Sequence, residues 1–466
     1  MTKDKVAYLG VCPIGKFVFS HEDAIVQKNK IFDKLNEWKI KYTSLEGILP
    51  DGLIRDQSHV DAAVNHFKKE KVDALFIPHC NFGTEGAAGM IAKKLSLPTL
   101  LWGPRDEAPL PDGSRLRDSL CGMFATSKVL HKLGVPFTYI ENCRIDEKQF
   151  NEGFKLFICA ASVAKAMRSM KIGQIGVRID FFWTTIIDES ELLRKFGIEI
   201  LPIDMVEFIN KIKNRSRKDR AKYAKEISEI KKWLVIEGLS SDESLYNSLA
   251  YRDELILLAE EKDLDAISVQ SFSSIQDELG GGVTGLGDAL ASDQYLPIIA
   301  ESDIHGAISS LILESASSTN EPSFFPEFTI RHPENDNAVL LFHGFAPLSL
   351  RDPDSVVSIE PAWVLKGLPP ATIQFKLKDG ALTVCRFDGD NGEYFLGFGQ
   401  GKTVNGPYTK DSYLWMEVDN WPKWEKILME GPYIHHCSAI YDQCADVLEE
   451  SCKYINGLKA QRFDTG

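Results

Sequence analysis

The chain has 466 residues, with 67 acidic against 53 basic side chains and a formal net charge of -14 at pH 7. An acidic excess of this size excludes a general electrostatic grip on nucleic acid or on an anionic membrane, since both need a basic footprint. The length exceeds one ordinary domain and leaves room for two to four, each with its own core. Nine cysteines without a CxxC spacing fit reduced thiols better than a disulfide framework. The opening MTKDKVAYLGVCPIG has no signal-peptide core, and no run of about 18 apolar residues is present to span a bilayer. A cytoplasmic protein is expected.

The first third alternates apolar strands with amphipathic helices. KVAYLGV precedes a helix over about 24–38, YTSLEGI one over about 60–69, and DALFIPH one over about 86–95, after which PTLLWG ends the series. Such alternation implies parallel strands joined by helical crossovers on both faces. Ligand sites in sheets of this kind gather at the carboxyl ends of strands. Two of those ends are polar and glycine-rich, HCNFGTEGAAG at 79–89 and WGPRDEAPLPDGSRLRDSLCG at 102–122. The strand-first pattern resumes near residue 171 with IGQIGVRI, then GIEILPI, LDAISVQSF and YLPIIAESD. The stretch 211–233 mixes Lys and Arg with Glu at helical spacing and reads as a solvated helix face.

After about residue 315 the texture changes to short strands divided by KDG, GDNGE and NGPY turns, which signal antiparallel pairing. An amphipathic helix over about 438–456 is expected to close the chain. The fold class is therefore α/β, with two doubly wound parallel-sheet domains of the Rossmann or flavodoxin kind and a third, β-rich, antiparallel and barrel-like. The boundaries are set at 1–170, 171–314 and 315–466.

Several chemical signatures are missing: a GxxxxGK[ST] phosphate loop, a GxSxG elbow, an HExxH helix and a complete GxGxxG turn at the first strand. GGGVTGLG at 280–287 reads as an anion cradle or as a plain flexible connection. Five of the ten histidines precede Leu133 and five lie from His305 to His436. In PIIAESDIHGAISSL, residues 297–311, an apolar strand delivers Glu301, Asp303 and His305 at every second position. A carboxylate at an apolar strand end needs a cation or hydrogen-bond donors. Asp303 is open to both readings, metal ligand and cap of the helix that follows. His435 and His436 adjoin in YIHH, so only one of them should reach a given metal if the backbone is extended. Carboxylates with an imidazole form a hard ligand set, suited to Mn²⁺ or Mg²⁺ rather than structural zinc.

PHCNFGTEGAAGMIAKKLSLPTLLWGPRDE, DGSRLRDSLCGMFATSKVL, PIIAESDIHGA and EGPYIHH occur in an order that resembles the L-fucose and L-arabinose isomerase superfamily, most closely its L-fucose isomerase-like members. The resemblance runs from about Val6 to Asn456. It implies a homo-oligomer, trimer or hexamer, that interconverts a free aldose and its ketose through an ene-diol with a divalent metal, Mn²⁺ before Mg²⁺ or Co²⁺. It places Asp303 and His436, or His435, on the metal. The first acidic ligand falls on Glu278 in SIQDELGG or on Asp288 in GLGDALASD. Glu278, or Asp288, and Asp303 would then also move the protons, with Glu301 supporting and His305 on the substrate side. For the sugar it offers Asn81, Trp102, Arg105 and Arg115, from the N-terminal domain of a neighbouring subunit. His343, Trp415 and Trp421 are offered from the β-rich part, and an anionic substrate group would fall to Arg105 or Arg115. A non-catalytic sugar-binding protein and a sugar epimerase are the alternatives on the same scaffold.

Overall fold

The computed structural model describes residues 5–236, 242–272, 274–279, 283–294, 296–361 and 370–464. The chain divides into two compact units. An N-terminal unit holds residues 5–165 and 450–455, and a larger unit holds the described residues of 166–449 and 456–464.

The N-terminal unit is built on five strands, β1 (Leu9–Val11), β2 (Tyr42–Thr43), β3 (Ala74–Pro78), β4 (Thr99–Trp102) and β5 (Thr138–Tyr139). All pair in parallel, in the order β2-β1-β3-β4-β5. Every residue of β3 and β4 is buried, as expected of parallel strands covered on both faces. The helices His21–Glu37, Val60–Glu70 and Glu85–Leu95 start close to where the periodicity places them. Their apolar faces and the sheet form two clusters, one around Phe76, Trp102, Phe150 and Phe154, the other around Phe67, Ile77 and Ile91.

The larger unit carries a second parallel sheet of β6 (Lys171–Ile175), β7 (Glu199–Ile203), β9 (Ala266–Val269) and β10 (Ile298–Ile299), ordered β10-β9-β6-β7. The strand between them, β8 (Leu234–Ile236), leaves to join the third sheet by parallel pairing with β13 (Val357–Pro361). That third sheet also contains β11 (Glu327–Arg331), β12 (Ala338–His343), β14 (Pro370–Lys376), β15 (Ala381–Asp390), β16 (Glu393–Val404), β17 (Ser412–Glu417), β18 (Ser438–Ile440) and β19 (Leu458–Arg462).

Most pairs in this sheet are antiparallel, and β14–β17 and β16–β19 join β8–β13 in running parallel. Among the described residues it does not close into a barrel. Strand β17 pairs along its length with β12, β14 and β16, so the sheet branches there, and its main path runs open from β18 to β8.

The chain end departs from expectation too. Ser438–Ile440 is a strand, drawn into register with β15 through Cys385, Val384 and Thr383, and the helix is only Ala445–Cys452. Tertiary pairing overrides the amphipathic pattern. Helix Ile304–Ala316 is almost wholly buried and packs on β15 and β18. Gly280 to Gly282 of the glycine-rich stretch lie outside the described residues, whereas Gly285 and Gly287 sit inside helix Val283–Ser292. All nine cysteines are free thiols, and no described helix is long and apolar enough to cross a membrane.

Candidate metal centre

Strand β10 ends at Ile299, earlier than alternation through Asp303 requires, and the chain then turns sharply. Glu301 and Ser302 both adopt left-handed backbone, with φ of 65° and 57°. For side chains other than glycine this costs on the order of 1–3 kcal/mol each and persists only where neighbours enforce it. The amide of Glu301 donates to Ser271 Oγ at 3.2 Å, and that of Ser302 donates to the Val269 carbonyl at 3.0 Å. The turn thus hangs on the carboxyl end of β9.

Asp303 follows as the N-cap of helix Ile304–Ala316, where its Oδ1 accepts from the Gly306 amide at 2.9 Å. Its Oδ2 accepts from Arg386 Nη1 at 2.6 Å and from His436 Nδ1 at 2.9 Å. Burial opposes ionisation of Asp303, yet Arg386 and His436 outweigh it and hold the carboxyl far below the usual range.

With Nδ1 engaged by Asp303, His436 presents Nε2 to two carboxylates. Glu301 Oε2 lies 3.1 Å from Nε2, and Glu327 Oε1 lies 3.8 Å from it. Glu327 Oε1 is also 3.9 Å from His343 Nε2. One ligand atom from each of Glu301, Glu327, His343 and His436 falls within 4.8 Å of the others.

These atoms converge and only partly satisfy one another, Glu301 and His436 as an ion pair. Glu301 Oε2, His436 Nε2 and both ring nitrogens of His343 are buried and complete no hydrogen bond of good geometry. Buried polar atoms are rarely left in that state, and a cation would engage Glu301 Oε2, His436 Nε2 and one nitrogen of His343 at once. Ligand distances of about 2.1 Å around an octahedral ion put neighbouring donors about 3 Å apart and opposed ones about 4.2 Å apart. The observed separations need only a small contraction. Two carboxylates and two imidazoles are a mixed oxygen and nitrogen set, which suits a transition ion such as Mn²⁺ or Co²⁺ better than the oxygen-seeking Mg²⁺.

The charges are graded across the cluster. Burial depresses the His343 imidazole to about 4, so it is neutral and its lone pair is free at neutral pH. Burial would depress His436 too, but the Asp303 and Glu301 carboxylates raise it to about 9. Burial would raise Glu301, and its histidine neighbours more than offset that and lower it. Glu327 is pushed up to about 7, first by burial and then by the charges of Glu301 and Asp411.

The residues expected from sequence are distributed unevenly. His436 is in the cluster, while His435 is exposed and places its ring edge-on to that of His436, with centroids 4.3 Å apart. His343 is in the cluster as a member of the ligand set. Glu278 is exposed and engaged by Lys213 Nζ at 2.6 Å, and the structure does not bring it to the cluster. Asp288 is buried and accepts from Tyr251 at 2.6 Å. His305 turns Nδ1 to Asp388 at 3.0 Å. Trp415 is buried with Leu340 and Tyr413 and donates to the Pro407 carbonyl at 2.9 Å, and Trp421 packs on Phe328.

In the N-terminal unit, Asn81 is fully engaged in joining the loops after β1 and β3, accepting from the Lys16 amide at 2.7 Å and donating to the Lys16 and Ser20 carbonyls. Trp102 is core, 4.6 Å from the Phe150 ring. Arg115 is held by both oxygens of Asp118 at 2.5 and 2.9 Å. Arg105 is exposed and has no acidic partner among the described residues, because Asp106 and Glu107 both turn to the buried Arg117.

Sequence reasoning missed Glu327, Arg386 and Asp388. Glu327 enters the cluster through strand pairing, opposite Phe342 on β12 and bridged to His436.

Comparison with known proteins adds a family to this geometry. Residues 10–168 match the fucose/sulfoquinovose isomerase N-terminal domain family. Sulfoquinovose isomerases from Priestia aryabhattai and Priestia megaterium are each 24% identical over 454 residues, covering 95% of this chain and 96% of theirs. Another, from a Clostridium species, is 25% identical over 284 residues, covering 60% of this chain and 61% of its own.

Proposed function

The chain belongs to the L-fucose isomerase-like family and is an aldose–ketose isomerase, and from that premise we propose that Glu301, Glu327, His343 and His436 form a divalent-metal centre acting on an aldose with an anionic substituent. The observation that carries the metal reading is the convergence of four ligand atoms, from buried Glu301, His343 and His436 and half-buried Glu327, most of them without hydrogen bonds.

Turning an aldose into its ketose moves the C2 hydrogen to C1 and the C2 hydroxyl proton to the C1 oxygen. An ion at this centre, Mn²⁺ first and Mg²⁺ or Co²⁺ next, supplies the positive charge that makes the ene-diol accessible. Glu327 takes the C2 proton and returns it at C1, because a carboxyl poised near 7 can both accept and release a proton at neutral pH. Glu301, kept ionised by its histidine neighbours, carries the hydroxyl proton. Asp303, with both oxygens engaged, holds His436 by Nδ1 and leaves Nε2 to the centre. This reading gives Asp303 an orienting role in place of the ligand and proton-transfer roles expected from the motif.

Sulfoquinovose, the sugar in the relatives' name, bears a sulfonate, and it is the first candidate substrate. Arg105, without an acidic partner, supports an anionic substituent better than Arg115, which Asp118 already neutralises. We carry into this proposal the homo-oligomer, trimer or hexamer, in which the N-terminal domain of a neighbouring copy completes the pocket, with domain divisions at about residues 170 and 314. The test is turnover of paired aldoses with and without a 6-sulfonate, in Mn²⁺ and D₂O, followed by NMR. Conversion of the sulfonated aldose to its ketose with deuterium entering at C1 is expected. Ion-loaded protein that converts no sugar of either series would refute the reading.

A further inference from the structure

The polar network does not stop at Asp303. Arg386, on β15, is fully buried and reaches two carboxylates at once. Its Nη1 donates to Asp303 Oδ2 at 2.6 Å and its Nε donates to Asp388 Oδ2 at 2.8 Å. Asp388 lies two residues further along β15, where strand alternation puts it on the same face. Its other oxygen accepts from His305 Nδ1 at 3.0 Å, and His305 stands in the first turn of the helix that Asp303 caps. Ser309 closes the loop, donating to the His305 carbonyl at 2.7 Å and accepting from the Phe387 amide at 2.8 Å. The turn after β10 and strand β15 are therefore tied together through charged groups that water does not reach.

A buried carboxylate that must aim a histidine needs its own orientation fixed. Asp303 Oδ1 is fixed by Gly306, but Oδ2 is shared between His436 Nδ1 and Arg386 Nη1. Without the guanidinium that oxygen answers to the imidazole alone, and its charge loses the one partner of permanent positive charge it has among the described residues. A lysine supplies charge but not the planar fork that engages Asp303 and Asp388 together. Resting on the metal reading above, we propose that Arg386 is a positioning residue: through Asp303 it sets the direction of His436 Nε2 and so the affinity of the centre for its ion. Asp388 and His305 hold Arg386 in turn.

The experiment is Mn²⁺ titration of the full chain followed by electron paramagnetic resonance, with melting temperatures measured with and without Mn²⁺. Arg386→Lys should weaken Mn²⁺ binding by roughly 10- to 100-fold, the range for supports of metal-ligating histidines. The rise in melting temperature produced by Mn²⁺ should shrink accordingly, while the ion-free melting temperature moves less. Asp303→Asn should weaken binding comparably. Because Arg386 acts through Asp303, the double variant should bind Mn²⁺ within about twofold of Asp303→Asn alone.

Asp388→Asn removes only the far side of the fork and keeps the test alive should Arg386→Lys not fold; it should weaken binding by roughly 3- to 10-fold. A folded Arg386→Lys with wild-type Mn²⁺ affinity overturns the proposal, as do losses that multiply in the double variant. Wild-type protein that binds no Mn²⁺ overturns both this proposal and the metal reading. Wild-type binding with unaffected variants overturns this one alone.

Discussion

The strand ends of the N-terminal unit and the turn after β10 in the larger unit both gather polar side chains, and they leave them in opposite states. After β1, β3 and β4, Asn81 bonds only to the loops it joins, and Arg117 answers Asp23, Asp106 and Glu107. Some atoms lack a hydrogen bond there too, His79 Nε2 and the facing Arg117 Nε and Asp106 Oδ1 among them, but each of these side chains is held by its other polar atoms, as His79 Nδ1 is by the Phe82 carbonyl at 2.8 Å. After β10, Glu301, His343 and His436 all leave buried atoms unsatisfied, and they face one another. Polar density alone therefore does not mark a working site. Convergence of unsatisfied ligands is the feature that supports a cation site, because desolvating them has a cost that a bound cation would reduce.

The largest effect should come from the convergent side. Glu301→Gln keeps the shape and removes the charge, and kcat/KM should fall by roughly 10³-fold, about 4 kcal/mol of transition-state stabilisation. Mn²⁺ affinity should fall with it, and the ion-free melting temperature should fall slightly, because His436 loses the carboxylate 3.1 Å from its Nε2. Steady-state turnover and a Mn²⁺ titration check this. Full turnover by Glu301→Gln would remove the residue from the centre.

On the satisfied side the expected pattern is reversed. Arg117→Met leaves Asp23 and Asp106 facing a buried apolar chain, and stability should drop by about 3 kcal/mol. The Mn²⁺ affinity of the protein that remains folded should be unchanged. Thermal unfolding and the same titration report both, and a loss of Mn²⁺ binding would contradict the division between the two regions.

The parts of this comparison that sequence made legible are those with short periods. The alternation of strands and helices from β1 to β4, the polar strand ends, Asp303 as a helix cap and His436 near the chain end are all local signals. His343 is legible as a site residue on the substrate side, but Glu327 and its meeting with His343 are not, since they depend on the pairing of β11 with β12 and the bridge to His436, more than a hundred residues away. Arg386 and Asp388 carry no local signal, for a physical reason. In VCRFDGD they alternate with apolar residues and read as the solvent face of a strand, whereas helix Ile304–Ala316 covers that face. Glu301 stood in the opening motif, but nothing local predicts a glutamate in left-handed backbone.

A smaller effect tests whether burial alone makes a carboxylate part of the centre. Asp288 is buried in the same unit, but its hydrogen bond comes from Tyr251, and burial raises it to about 8 against an ordinary value near 4. The folded chain therefore binds a proton that the unfolded chain releases. Stability from this group is fully present below about pH 4 and is lost as pH rises toward 8, at up to about 1.4 kcal/mol per unit. Asp288→Asn should flatten the fall in melting temperature between pH 5 and 8 without changing Mn²⁺ affinity at fixed pH. A reduced affinity would return Asp288 to the list of metal-directed residues.

The smallest effect concerns the exception within the satisfied region. Arg105 and Arg115 stand in one loop segment, but Asp118 holds Arg115 in a bidentate pair and no described acid holds Arg105. An exposed guanidinium with nothing to neutralise it is the cation an anionic substituent would meet, and one such charge-assisted contact is worth about 1.5 kcal/mol. Arg105→Gln should raise KM for a sulfonated aldose by about tenfold, with kcat nearly constant because the contact is made equally in ground and transition states. Arg115→Gln should change KM by less than about twofold, since its charge is already answered. A neutral aldose should be indifferent to both variants. The reverse ranking, with Arg115 controlling KM, would show that a neutralised guanidinium can still recognise substrate and that the state of its partner is no guide to function here.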